Sequence, residues 1–166
     1  MDQLDLEKTS FEDIIKQSQD QEDQKQDSLE LRFKEERIEW SGKIKEMSSK
    51  LKNVIEISLL QVDVYTERQR CVDYYHYIIS LLIKINKEYR KQYAVKYDYY
   101  TSQSQIRYPN ESTKVNKILS ELGDLVNKKE ALENHSKFVS ATIATLDNII
   151  YGIKSRIDLE NIIRGK

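Results

Sequence analysis

The chain has 166 residues, of which 33% are charged, with only 4 Gly, 1 Pro and 1 Cys. Few turn-forming residues and many charges are typical of long α-helices and disfavour a sheet protein. One cysteine excludes an intrachain disulfide, and no apolar run approaches the ~18 residues of a membrane span, so we expect a cytoplasmic protein without membrane contact.

Charge is unevenly distributed along the chain. Residues 1–40 contain 13 Asp/Glu and 6 Lys/Arg, whereas residues 41–166 contain 15 and 21. An acidic end joined to a basic body suggests that the body binds an anion, although two solvated helix faces have the same composition.

Residues 1–42 are predicted to form an acidic N-terminal arm. A short amphipathic pattern (Leu4, Leu6, Phe11, Ile14, Ile15) precedes residues 17–28, which contain no apolar residue and indicate a Gln-rich linker or a frayed helix. A second short helix, with apolar residues between Leu29 and Trp40, is expected to end near Gly42.

Residues 43–166 are predicted to form a helical hairpin. The first helix covers about 43–100, with a possible break near Val62–Val64, and the loop is 101–113, which holds the single proline, Pro109. Asn110 or Ser112 can cap the second helix, about 114–164. The first helix carries a heptad seam at Val72, Tyr75, Ile79, Leu82, Asn86, Tyr89, Tyr93, Lys96 and Tyr100.

The second helix has the more regular pattern. Its 4-3 alternation runs without a slip through Ile118, Leu122, Leu125, Lys129, Leu132, Ser136, Val139, Ile143, Leu146, Ile150, Ile153 and Ile157. Such a seam predicts a supercoil with another helix. The fold class is therefore expected to be all-α, a long helical hairpin or coiled coil, and oligomeric, because long thin helices gain apolar burial from partners.

No pattern in the chain indicates catalysis. Glycine-rich phosphate loops, nucleophile elbows and zinc motifs are missing, and His76 and His135 are 59 positions apart. Two histidines alone make a poor metal site, and Cys71 has no partner spaced as a base, so a packed helix cysteine is expected. We predict a protein that is not an enzyme and uses no cofactor or metal.

Residues 84–100, KINKEYRKQYAVKYDYY, combine basic and tyrosine residues. Lysines on one helix face can neutralise phosphates, and exposed tyrosines can stack on unpaired bases, which is what single-strand binding requires. Tyr89, Tyr93 and Tyr100 share the seam and are better explained as core, whereas Tyr97, Tyr99 and Tyr108 are freer to stack. The predicted DNA-binding residues are Lys84, Lys87, Arg90, Lys91, Lys96, Tyr97, Tyr99 and Arg107.

The segment KYDYYTSQ at 96–103, after a basic helix, and LDNIIYGIKSR at 146–156 resemble UvsY-like recombination mediators of large tailed phages. The resemblance covers roughly residues 70–166. Lys96 matches the family's basic position two residues before Asp-Tyr-Tyr. A second family basic position is Ala94 in this chain, where Lys91 or Arg90, one turn back, can substitute.

The resemblance implies a homo-oligomeric ring that binds single-stranded DNA. It implies that the protein helps load a RecA-type recombinase onto strands covered by single-stranded-DNA-binding protein, in the host cell cytoplasm if phage-encoded. Two alternatives stay open: a structural or scaffolding coiled coil with protein partners only, and a subunit of a larger complex whose acidic arm is a docking segment or an autoinhibitor.

Overall fold

In this computed structural model the described residues are 11–103 and 108–165, with side chains described from residue 29 except 54 and 103. The elements of these ranges are α1 (Phe11–Lys50), a 3-10 turn (Val54–Glu56), α2 (Ile57–Asp98), a π-helical turn (Tyr99–Gln103), α3 (Glu111–Glu121) and α4 (Gly123–Ile163). They include no strand, and the all-α prediction is confirmed. The predicted pattern from Leu4 to Ile15 lies outside the described side chains.

Three long helices pack side by side. Near one end Leu60 of α2 clusters with Leu146 of α4, and farther along Ile78 clusters with Leu132, so α2 and α4 are antiparallel. The α1 helix covers this hairpin and runs parallel to α4, because Glu36 contacts His135 while Leu51 packs against Gly152. The tip of the hairpin consists of the end of α2, the following turn, and α3.

The core forms where apolar residues recur at heptad spacing on all three helices. On α1, Phe33, Trp40 and Met47 are buried at steps of seven residues. On α4, Leu132, Val139, Leu146 and Ile153 follow the same spacing. Each fully buried side chain of this size contributes roughly 1.5–3 kcal/mol of transfer free energy, so the stripes hold the three helices together.

The structure corrects the prediction for the N-terminal arm. Residues 17–28 and Gly42 lie within α1, which is continuous over 40 residues. The linker interpretation is wrong, and a physical reason is that five of these twelve residues are Gln, which favours helix even without apolar neighbours. Gly42 costs about 1 kcal/mol relative to Ala, and burial of Trp40 and Met47 beside it offsets that cost.

The predicted helix over about 43–100 is also wrong, since the chain reverses between Lys50 and Ile57 rather than near Val62. The side chain of Asn53 accepts a hydrogen bond from the Ile55 N–H (3.2 Å) and donates one to Glu56 (2.8 Å). This local bonding competes with the helix. The turn contains no glycine or proline and was therefore missed in the sequence.

The first helix after the loop, α3, begins with a well-defined N-cap. Asn110 is extended, and its side chain accepts the Thr113 N–H at 2.8 Å, so α3 begins at Glu111. The predicted continuous helix over 114–164 is interrupted at Leu122, where α3 ends and α4 begins. Because Leu122 still bonds Ile118 and Val126 through its backbone, the helix path continues past this point.

Candidate nucleic-acid interface

The outward face of α2 near the hairpin tip carries the basic stripe, which we define as Lys84, Lys87 and Lys91. All three side chains are exposed, as is Arg90 beside them. At 100° per residue they lie opposite the face of α2 that buries Leu82. The stripe therefore points away from α4.

The stripe lies in a region of net positive charge, in which Glu88 is the one carboxylate and accepts a hydrogen bond from Gln92. Among the ion pairs of the described residues, none involves Lys84, Lys87, Arg90 or Lys91. Lys84 and Lys91 are about 10 Å apart along the helix axis. Three cations over this length can contact successive phosphates of one strand.

Lys96 lies on a different face from the stripe. Its Nζ is 2.7 Å from Glu121 Oε2 on α3, and its side chain is 33% exposed. The position agrees with the predicted seam, which includes Lys96. Lys96 was predicted to bind DNA, but its ammonium group already pairs with the carboxylate of Glu121 in the same chain.

Glu121 gathers three donors at the hairpin tip. Besides Lys96, the Tyr100 hydroxyl donates to Oε1, and Lys117 Nζ lies 3.2 Å from the same oxygen. Burial opposes ionisation of Glu121, but these hydrogen bonds outweigh it and lower the pKa of the carboxyl to about 2. The hydrogen bond to Glu121, with burial, raises the pKa of Tyr100 to about 12.

The tyrosines form two groups. Tyr89, Tyr93 and Tyr97 make a ladder along α2 with ring centroids 6.0 and 6.1 Å apart. Tyr97 is 36% exposed, but Lys114 Nζ lies 4.2 Å from the centroid of its ring. Tyr99 is 49% exposed and makes an edge contact with Tyr100, which leaves it better placed to stack on a base.

The structure adds residues that the sequence pattern did not single out. Ile83 and Val95, each 64% exposed, lie on the same side of α2 as the stripe and give it an apolar component. Lys114 and Lys117 of α3 bring two more cations to the tip. In the sequence, these two cations could have been recognised as lysines three positions apart, shortly after the loop. Arg107, a predicted DNA-binding residue, lies outside the described residues.

The other candidate chemical groups are packed in the core or on the surface. Cys71 is fully buried, and burial, with Glu67 nearby, raises the pKa of its thiol to about 12. His135 is buried and His76 is exposed, so the two do not form a pair. The described part of the chain contains no group of three or more His, Cys, Asp or Glu residues arranged for a metal ion. None of its helices is long and apolar enough to cross a membrane.

Comparison of the chain with protein families, curated proteins and solved structures returned no match. A function for the tip of the hairpin is therefore inferred from the chemistry of its own side chains.

Proposed function

We propose that this protein binds single-stranded DNA through the basic stripe of α2 and acts as a recombination mediator without catalysis. It would help load a RecA-type recombinase onto DNA covered by single-stranded-DNA-binding protein. The observation that carries the proposal is the exposure of Lys84, Lys87, Arg90 and Lys91 on one stretch of helix without a carboxylate partner in the described part of the chain.

Sequence-independent binding of a single strand requires cations and an accessible aromatic ring, and the stripe and its surroundings provide both. Cations neutralise phosphates and release counterions, so affinity depends steeply on salt. An accessible aromatic ring gives a stacking surface worth roughly 1–3 kcal/mol per base. Two such rings flank the stripe, Tyr77 before it (51% exposed) and Tyr99 after it (49% exposed). Tyr97 and Lys96 would contribute only if Lys114 and Glu121 move aside.

The UvsY-like resemblance supports the same region. The KYDYY segment crosses the junction between α2 and the π-helical turn. Here Lys96 faces α3 rather than the stripe. The second basic position of the family pattern is Ala94 here, and Lys91 of the stripe or Arg90 beside it, both exposed and about one turn before Ala94, can supply that charge.

A homo-oligomer, with a ring as the proposed form, would present many copies of the stripe to one strand, and avidity multiplies weak contacts. The end of α4 supplies a surface for such assembly, because it carries exposed apolar side chains. These are Tyr151 (67%), Leu159 (46%), Ile162 (73%) and Ile163 (70%). Exposed apolar side chains concentrated at one end of a helix are candidates for an interaction site.

The first experiment is binding of the purified full chain to fluorescent oligo(dT) at salt concentrations from low to physiological, with duplex DNA of equal length as the control. We expect tighter binding to the single strand and a steep loss of affinity with salt. Absence of binding at low salt, or binding that ignores salt, would contradict the proposal.

A triple variant locates the interface. Replacing Lys84, Lys87 and Lys91 by Ala should reduce the slope of log affinity against log salt by about 2, since each single-strand phosphate contact contributes ~0.7. The matched control replaces Lys45, Lys52 and Lys137, which are exposed elsewhere on the bundle. The control removes the same charge, so equal effects of both triples would show that binding does not use the stripe.

A structural or scaffolding coiled coil with only protein partners is the second candidate. The exposed apolar end of α4 favours it, because protein assembly needs no basic stripe. Sedimentation of the chain with and without oligo(dT) separates the two functions. Rings or polymers that form without DNA and do not retain it would support the scaffold.

A further inference from the structure

Glu121 holds the position of a bound anion at the hairpin tip. Its two oxygens contact Lys96 Nζ at 2.7 Å and Lys117 Nζ at 3.2 Å, and Oε1 also accepts the Tyr100 hydroxyl. Two ammonium groups and a phenol, supplied by different helices, form a donor set that suits phosphate oxygens as well as carboxylate oxygens. If Glu121 moved away, these donors would lose their acceptor.

The donors can be reached from solvent. The side chains of Lys96 and Lys117 are 33% and 49% exposed. A cleft lined by Val95, Lys96, Tyr99, Tyr100 and Glu121 opens beside them, with Ala94 and Asp98 also at its wall. Val95 of α2 and Tyr99 of the π-helical turn, at the wall of the cleft, are exposed. A strand that continues beyond the Lys91 end of the basic stripe would reach this cleft by crossing these two side chains.

We propose that Lys96, Tyr100 and Lys117 form a phosphate site that Glu121 occupies in the absence of DNA, so that a phosphodiester of the bound strand displaces an internal competitor. This inference rests on the proposed function and extends it to a regulated contact. On this proposal Lys117 and Tyr100 contact DNA, and the strand binds there only if its phosphodiester interacts with the donors more favourably than the Glu121 carboxylate does.

The physical reason for competition is that both anions present paired oxygens to the same donors. A carboxylate held by the chain itself is always at the site, whereas a phosphodiester arrives from solution and must replace the contacts one for one. Removing the charge of Glu121 leaves the two lysines without a counter-ion. The donors then favour an external anion.

The test is the Glu121→Gln variant of the full chain, measured for oligo(dT) binding beside the unmodified protein. Gln preserves the shape of the side chain and removes its charge. We expect affinity to rise by about three- to tenfold, the range of a few exposed ion-pair contacts. Unchanged or weaker binding by a folded Glu121→Gln protein would overturn the inference.

Asp147→Asn is the matched control. Asp147 of α4 pairs with Arg68 of α2 at 2.5 Å, so this change also removes one carboxylate and one contact between the hairpin helices. The pair lies about 42 Å along α2 from Lys96. An equal rise in affinity for both variants would mean that net charge alone is responsible and would contradict a site at Glu121.

Lys117→Gln tests the same site without touching Glu121, in case the Glu121→Gln protein fails to fold. Lys117 lies on α3, away from the stripe, and a merely structural role predicts no change in DNA affinity. We expect a loss of about two- to fivefold, from the loss of one phosphate contact. In the double variant with Glu121→Gln, the gain should largely disappear.

Inorganic phosphate separates failure of this inference from failure of the proposed function. Sodium phosphate should raise the melting temperature of the Glu121→Gln protein more than sodium chloride of equal ionic strength, and should not do so for the unmodified chain. If no form binds oligo(dT), the proposed function fails while phosphate still tests the site. If Glu121→Gln gains neither DNA affinity nor phosphate stabilisation, the site itself is refuted.

Discussion

His135 Nε2 lies 3.0 Å from Glu36 Oε2, although the two residues are 99 positions apart in the chain. The Tyr74 hydroxyl donates to the same carboxylate oxygen and lies 3.3 Å from His135 Nε2. The ring of Phe33 stacks on the imidazole at a centroid distance of 4.0 Å. Each of the three long helices therefore contributes one polar side chain to a contact inside the bundle. A shift of α1 along the hairpin would leave the Glu36 charge without its partners.

Burial favours the neutral form of His135, against the attraction of Glu36. Its side chain is fully buried, and Nδ1 has no hydrogen-bond partner among the described residues, so a proton placed there would find no acceptor. Burial lowers the pKa of His135 below its ordinary 6.5, and Arg37 and Arg32 lower it further, despite the opposing effect of Glu36. For Glu36, burial opposes ionisation, but hydrogen bonds from Tyr74 and Arg32 outweigh it and lower its pKa below 4.5.

The first prediction concerns pH. The unfolded chain takes up a proton on His135 near pH 6.5, whereas the folded chain resists it, so the free energy of unfolding should fall as pH decreases from about 7.5 to 5.5. Below pH 4.5, protonation of Glu36 removes a second contribution. Urea unfolding at several pH values measures the slope. His135→Gln should flatten the slope above pH 5.5, and His76→Gln, at an exposed position, should not. Equal slopes in all three proteins would contradict the role of His135.

The second prediction concerns Cys71. Its side chain is fully buried, and its thiol pKa is raised to about 12. A thiol reagent at pH 8 should therefore react with the native protein more slowly than with the urea-unfolded protein by about two orders of magnitude or more, because both thiolate fraction and access are reduced. A fast native reaction would show that α2 opens from α1 and α4.

The third prediction uses two adjacent leucines of α2. Leu60 is 1% exposed in the core, and Leu59 is 70% exposed. Leu60→Ala should lower the free energy of unfolding by about 2–5 kcal/mol, whereas Leu59→Ala should change it by less than about 0.5 kcal/mol in the monomer. Chemical denaturation of both variants tests the rotational phase of α2, since a rotation of the helix would reverse the order.

The fourth prediction tests the cap that begins α3. Asn110→Ala removes the acceptor of the Thr113 N–H and should lower stability by about 1 kcal/mol. Asn110→Asp retains an acceptor oxygen and should remain within about 0.5 kcal/mol of the unmodified protein. Thermal unfolding followed by circular dichroism measures both. Similar losses for the two variants would exclude the capping role.

The seam of α3 and α4 could be read in large part from the sequence, whereas that of α2 was displaced. Ile118, Leu132, Val139, Leu146 and Ile153 are buried as their spacing predicted, but the predicted Ile157 is exposed, and His135, Thr142 and Ile149 are buried outside the predicted seam. On α2, the predicted seam positions Val72 and Ile79 are only half-buried, and the neighbouring Cys71 and Ile78 are buried instead. The reason is that α2 packs on both α4 and α1, so its buried arc is rotated relative to the seam of a two-helix coil.

In the candidate site, too, some features follow from the sequence and others only from the tertiary structure. The exposure of Lys84, Lys87, Arg90 and Lys91 follows from the helical period of a segment whose opposite face is apolar and aromatic, and the sequence carries that information. The pairing of Lys96 with Glu121, 25 residues later, depends on how α3 leaves the loop and lies against α2. No local pattern specifies that distance.

The sequence by itself determined that the chain is helical, where α4 is buried and which lysines face solvent, because propensity and a heptad period act over a few neighbouring residues. Only the tertiary structure decided that the acidic N-terminal region joins the core through Phe33 and Trp40, that the chain turns at Asn53, and that Glu121 occupies the donors of Lys96, Tyr100 and Lys117. These features arise from contacts between distant segments, whose energies appear only when the helices pack.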